Sequence, residues 1–195
     1  RKKTDMPLIF TLRSESEGGQ SALRRNDGLA LLRDVAEQGD VDFLDIELFE
    51  EDGSLDEDKM EFLVETAHSN HKKVILSNHD FEKTPDADAI LKRLQAMERL
   101  GADLPKVAYM PLGEADVKGL LEAARTMAAQ FLHKPFVAIS MGDLGKESRV
   151  CGGAYGSAIT FAPPPSSDGQ GKTAPGQMSA EALHTCICER YKSGV

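Results

Sequence analysis

An α/β fold of the (β/α)8, TIM-barrel type, carried by about six strand–helix units, is what the sequence predicts. Three observations lead there. Short apolar, β-branched segments alternate with longer helical ones about every 30 residues. Crossovers of that length join parallel strands in right-handed units. Nothing resembling G-x-G-x-x-G follows the first strand, so an open dinucleotide-binding sheet has little support. Polar residues close nearly every strand, and in a barrel all strand ends surround one mouth.

Composition narrows the function classes. A chain of 195 residues fits one domain, residues 1–195, and can bury a real core. It is short of the roughly 250 residues typical of a complete eight-stranded barrel. The formal net charge of −9, spread along the chain, argues against nucleic acid or an anionic membrane as partner. A small anionic substrate stays compatible, because local arginines override the global sign. Cys151, Cys186 and Cys188 form no CxxC, so neither a disulfide framework nor a zinc site is indicated. A reducing compartment, the cytoplasm, is expected. No apolar run approaches the ~18–20 residues of a membrane span. The opening RKKTDMP is followed by no secretory-type apolar segment. It also lacks an initiator methionine, as a trimmed or incomplete chain would.

The elements follow in order. Residues 8–12 (LIFTL) read as a strand running into Arg13 and the loop SESEGG. Asn26 or Asp27 can cap a helix to about Gln38, with Leu29, Leu31, Leu32 and Val35 among its apolar positions. Residues 43–48 (FLDIEL) form the next strand, in which Phe43, Asp45 and Glu47 share a face by the two-residue period. A helix spans 59–69. Residues 73–81 (KVILSNHDF) start as a strand buried on both faces, 74–77, and end in polar residues, placing His79 at its carboxyl end. Thr84, Pro85 and Asp86 open a helix that Gly101 stops. Strand 106–110 and helix 115–131 follow, then strand 136–141 (FVAISM) and the stretch GDLGKESR. Residues 157–161 (SAITF) read as a sixth strand. Residues 162–177, rich in Pro, Ser and Gly, read as a mobile lid. Ser179 caps a last helix to about Tyr191, in which Cys186 and Cys188 are packing residues.

The strand ends supply the chemistry-bearing residues: Arg13, Glu17, Glu47, His79, Asp80, Lys106, Met141 and Arg149, with Thr173 and Gln177 from the late loop. A single strand-end Arg or Glu is more often half of a structural ion pair than a catalyst. A histidine followed by aspartate can serve simply as a helix cap. Lys106 lies after Pro105 among Val, Ala and Tyr, where an ammonium is costly to desolvate, unless its stem lets it reach solvent. Burial and a nearby cation favour the free amine, which adds to a ketone and gives an iminium. A histidine close by can then move protons. Arginines can hold a carboxylate bidentately.

With these residues in view, the chain resembles type I 3-dehydroquinate dehydratase, the Schiff-base enzyme of the shikimate pathway of aromatic amino acid biosynthesis. The matching segments are FTLRSESEGG at 10–19, DFLDIELF at 42–49, SNHDFEKTP at 77–85 and GADLPKVAYMP at 101–111. ISM and SR around Met141 and Arg149, GSAITF at 156–161 and TAPGQMS at 173–179 continue the match in order. The resemblance implies a lyase that dehydrates 3-dehydroquinate to 3-dehydroshikimate with no metal or organic cofactor. It implies that Lys106 forms the imine, His79 is the general acid and base, and Glu17 orients and tunes that histidine. It implies Arg149 on the substrate carboxylate, Arg13, Thr173 and Gln177 on substrate oxygens, and Met141 and Phe161 as apolar walls. Thr173 stands where the family usually has serine. Asp45 and Glu47 match the family's strand without a catalytic assignment. A homodimer is expected, with no nucleic-acid or membrane partner.

The departures lie at the amino end. The family's barrel has two further strands before the one at 8–12, the second bearing a Glu-x-Arg element, and neither has a counterpart in the sequence. Three other readings remain: a metal site of Asp45, Glu47, His79 and Asp80; a different class I lyase sharing the imine; and an inactive ligand-binding relative.

Overall fold

A computed structural model describes residues 4–20, 25–50, 53–131, 134–163 and 174–192. Its elements run β1 (Ile9–Thr11), α1 (Arg25–Gln38), β2 (Phe43–Glu47), α2 (Glu57–Ser69), β3 (Lys73–Asp80), α3 (Ala87–Arg99), β4 (Lys106–Tyr109), α4 (Glu114–Gln130), β5 (Val137–Ser140), α5 (Lys146–Cys151), a 3-10 turn (Gly152–Tyr155) and α6 (Ala180–Lys192). The alternation is the α/β rhythm that the sequence predicts. Sheet order repeats chain order, β1-β2-β3-β4-β5.

The chain divides into two compact units. One runs to His79 and adds Leu94–Lys106; the other comprises Asp80–Arg93 and the residues from Val107 on. β3, α3 and β4 each contribute to both.

In the first unit, β1, β2 and β3 pair in parallel, with Thr11 opposite Asp45, Asp45 opposite Ile75 and Glu47 opposite Ser77. β2 and β3 carry Leu44, Ile46, Val74, Ile75 and Leu76, all buried, as in a parallel sheet with both faces covered. α2 buries Met60, Leu63, Val64 and Ala67, one stripe at helical spacing, and Asp56 caps it by accepting from Lys59 N–H at 3.1 Å. Asp103 accepts from Val74 N–H at 2.8 Å, and Leu104 N–H donates to Val74 C=O, which registers the approach to β4 on β3.

In the second unit, Met110 N–H donates to Asp80 C=O and Met141 N–H to Tyr109 C=O, each at 2.8 Å, where the strands end. α4 buries Val117, Leu120, Leu121, Ala124 and Met127. Val117 and Leu121 pack with Cys151 and Tyr155.

Several expectations change. β3 extends to Asp80, so the polar run SNHD belongs to the strand rather than to a loop after it. Lys146–Cys151, for which the sequence predicts no element, is helical. Residues 157–161 make one bridge, Phe136 to Ser157, instead of a sixth strand. The reason is local. Ala138 N–H, the next donor along β5, is taken by the Ser157 hydroxyl at 3.1 Å rather than by a backbone carbonyl. Most of the expected lid, residues 164–173, lies outside the described residues. Cys186 and Cys188 are half-buried rather than packed away, and Cys188 Sγ lies 3.6 Å from His184 Nε2.

Candidate active site

The first unit gathers a buried charge cluster from its strands and from the loop after β1. Arg13 lies two residues beyond Thr11, and Thr11 faces Asp45 across β1 and β2. The two-residue period therefore puts Arg13, Asp45 and Glu47 on one face. Arg13 Nη2 donates to Asp45 Oδ2 at 2.9 Å. Its Nη1 lies 3.1 Å from Glu17 Oε2, 3.0 Å from Glu47 Oε1 and 3.1 Å from Ser77 Oγ. Glu47 also receives Ser14 N–H at 2.8 Å, which ties the loop after β1 to β2.

His79 stands near the end of β3, with its side chain 10 % exposed. Its Nδ1 is 2.8 Å from Glu17 Oε2, and the same oxygen receives the His79 backbone N–H at 3.1 Å. Asn78 Nδ2 donates to the other Glu17 oxygen at 3.2 Å. Glu17 is thus held from three sides and fixes the imidazole by its Nδ1 edge, as an orienting carboxylate does. Burial pushes the Glu17 carboxyl up to about 7, against the opposing charge of Arg13. Burial, then the charges of Arg13 and Lys106, drive His79 well below its ordinary 6.5, so the ring is neutral at neutral pH.

Lys106 opens β4 and is buried. Its Nζ donates to Asp45 Oδ2 at 2.9 Å. Asp45 Oδ1 receives the Ser77 hydroxyl. Despite burial, Lys106 and Arg13 hold the Asp45 carboxyl far below the usual carboxylate range. A buried amine, a neutral imidazole and an orienting carboxylate are the parts that imine chemistry with proton transfer requires.

The second unit carries the other expected site residues around a buried arginine. Arg149, at the end of α5, is 3 % exposed. Its Nη2 donates to Pro175 C=O at 3.0 Å, and its buried Nε has no partner. Among the described residues no carboxylate pairs with it. An arginine buried without an acid is an unmet demand for an anion. Pro175 C=O also accepts Gly142 N–H at 3.2 Å, so residues 174–177 dock through backbone. Gly176, at φ +74°, lies so close that a Cβ would sit 2.0 Å from Gly142 O. Gln177 and Met141 are buried and Phe161 is half-buried. Thr173 lies outside the described residues.

The first unit thus brings together Arg13, Glu17, His79 and Lys106, and the second carries Met141, Arg149, Phe161 and Gln177. Sequence reasoning missed the role of Asp45, Ser77 and Asn78 as partners of Lys106, Arg13 and Glu17. The signal was present for Asp45: an acid inside an apolar strand demands a buried cation. Arg13, expected on substrate, pairs with three carboxylates, Glu17, Asp45 and Glu47. Among the described residues no group of three or more His, Cys, Asp or Glu is arranged to hold a metal ion. No helix among them is long and apolar enough to cross a membrane.

Comparison with known proteins gives the family. Residues 1–192 match the family described as Type I 3-dehydroquinase. The chain belongs to the type I 3-dehydroquinase family. The 3-dehydroquinate dehydratase of Clostridioides difficile is 42 % identical over 189 residues, 97 % of this chain and 70 % of that protein. That of Bacillus licheniformis is 44 % identical over 92 % of this chain and 68 % of its own length. A crystal structure of the Clostridium difficile type I enzyme, with covalently modified comenic acid, superposes with a TM-score of 0.85 at 40 % identity, covering 97 % of this chain and 70 % of that one. The Geobacillus kaustophilus enzyme superposes at 0.83 with 32 % identity, over 97 % of this chain and 69 % of that one. The fold class is accordingly that of the (β/α)8 barrel, of which the described residues carry five parallel strands.

Proposed function

We propose that this type I 3-dehydroquinase is a hydro-lyase of the shikimate pathway that converts 3-dehydroquinate to 3-dehydroshikimate through an imine on Lys106. One observation carries the chemical part. A buried lysine amine shares its cluster with a histidine whose Nδ1 is held 2.8 Å from a carboxylate.

In this reading the Lys106 amine adds to the substrate ketone, whose oxygen departs as water, leaving a cationic C=N bond. The iminium withdraws the electron pair of the adjacent C–H bond, and neutral His79 accepts that proton. The enamine then expels the hydroxyl group one carbon further on. His79 returns its proton to the leaving oxygen, so the eliminated group is water. Hydrolysis of the remaining imine frees the product and the amine. Glu17 keeps His79 oriented. Arg149 takes the substrate carboxylate, which answers its unmet demand for an anion. Arg13, Gln177 and Thr173 are assigned to substrate oxygens, and Met141 and Phe161 to apolar walls.

The deciding experiment is trapping. The purified protein is mixed with 3-dehydroquinate, reduced with borohydride, and its mass mapped. A ligand-sized adduct on Lys106, absent in a folded Lys106→Ala variant, is expected. No adduct on folded wild type would remove the imine reading.

Two further assignments belong to the same reading. Residues 1–195 act as one domain, so unfolding is expected in a single cooperative transition. The protein works in the cytoplasm as a homodimer, and a monomer mass by light scattering would exclude that assembly.

A further inference from the structure

We propose that Asp45 is the counterion of the reacting amine: it holds Lys106 as an ammonium at rest and stays beside the same nitrogen when the cationic imine forms. The inference rests on the imine reading above and deepens it.

The geometry is specific. Asp45 Oδ2 takes both Lys106 Nζ and Arg13 Nη2 at 2.9 Å, and its Oδ1 takes the Ser77 hydroxyl. The carboxylate is 2 % exposed, so water contributes little to its solvation. Two cations and a hydroxyl supply that solvation instead. A carboxylate held this way is a poor base and cannot take the proton that the amine sheds before attack. It can only remain as a fixed negative charge.

The stoichiometry of imine formation suits such a charge. The ammonium and the ketone give the protonated imine and one water. A C–N bond forms, a C–O bond breaks, and two nitrogen-bound protons leave with the oxygen. The nitrogen carries one positive charge before and after. A counterion fixed beside it therefore needs no rearrangement between the resting and covalent states, and its field stabilises the iminium as a preorganised group. The proton in transit goes through His79, which is neutral. The charged and titratable groups of the cluster are Arg13, Glu17, Glu47, His79 and Lys106. Of these, Arg13 and Lys106 lie directly on Asp45.

The test compares wild type with Asp45→Asn and Asp45→Glu by rate of borohydride-trapped adduct on Lys106, by kcat and KM, and by pH profile. Asp45→Asn should lose about 100-fold in adduct rate and kcat with KM changed less than about threefold. Its pH profile should move, and Asp45→Glu, which keeps the charge, should restore the wild-type profile. A merely structural role lowers the rate and leaves the profile in place. A folded Asp45→Asn with wild-type adduct rate and profile overturns the proposal. Wild type that forms no adduct defeats the imine reading instead. If Asp45→Asn fails to fold, Asp45→Glu still decides: an adduct on Lys106 with the wild-type pH profile is expected, and a folded Asp45→Glu that forms no adduct, beside wild type that does, overturns the proposal.

Discussion

Replacing Glu17 with glutamine should expose a pH dependence of stability that the wild-type site conceals. Burial raises the folded Glu17 carboxyl from 4.5 to about 7, so its favourable contribution is full below about pH 4.5 and is lost as pH rises through 7. His79 moves the other way. Its folded proton affinity is depressed well below 6.5, so its favourable contribution is full above about pH 6.5 and is lost as pH falls. Between those two ordinary values the unfolded chain carries one proton on the histidine, and the folded chain carries one on Glu17. The counts match, so the pair adds almost no slope. Glu17→Gln deletes the carboxyl and leaves the histidine uncompensated. Stability of the variant should then fall, relative to wild type, by about 1.4 kcal/mol per pH unit on acidification below about 6.5. Urea unfolding of both proteins at about pH 5, 6 and 7 measures it, since shared groups cancel in the comparison. Parallel curves would refute the opposed shifts of Glu17 and His79.

Other outcomes follow from the second unit. Gly176→Ala forces a Cβ to 2.0 Å from Gly142 O at a φ of +74°. It should cost about 1–3 kcal/mol in thermal unfolding and raise KM by displacing neighbouring Gln177; an unchanged melting temperature would contradict the docking of residues 174–177. Arg149→Ala removes a buried guanidinium and should raise KM by about 10- to 100-fold with a smaller change in kcat. A kcat loss with KM intact would place Arg149 outside substrate binding.

Much of the fold was legible because most strands begin as short apolar runs and the longer helices α2 and α4 keep an apolar stripe. The failures share a cause, which is that local pattern says nothing about where a hydrogen-bond donor is spent. Residues 157–161 have strand composition, yet one serine hydroxyl takes the Ala138 N–H that the ladder needs. Lys146–Cys151 is short and polar, with Ser148 turned back onto Gly145 C=O and Ser140 C=O, so no apolar period announces the helix. In the site, Lys106, His79 and Glu17 were legible from residue type and position at strand ends. Asp45 was not assigned, although a carboxylate between Leu44 and Ile46 declares its need for a cation. Its partner could not be read from spacing, because Lys106 lies 61 residues away.

Arg13 gives the cluster its unity. One guanidinium touches Glu17, which orients the imidazole, and Asp45, which faces the amine. The planar fork can reach both, as a lysine ammonium cannot. The positions of the base and of the nucleophile are therefore not independent, and neither are the effects of changing them. Removing Glu17 leaves the guanidinium free to settle on Asp45 and Glu47; removing Asp45 shifts it toward Glu17. Each change alters the field at the other residue. The double variant Glu17→Gln, Asp45→Asn should then depart from the sum of the single ones by about 0.5–3 kcal/mol in unfolding free energy, the range for residues in one ion-pair network. Simple additivity would mean that Arg13 holds the two acids without connecting them. The lysine and the histidine would then be separately supported groups rather than parts of one charge system.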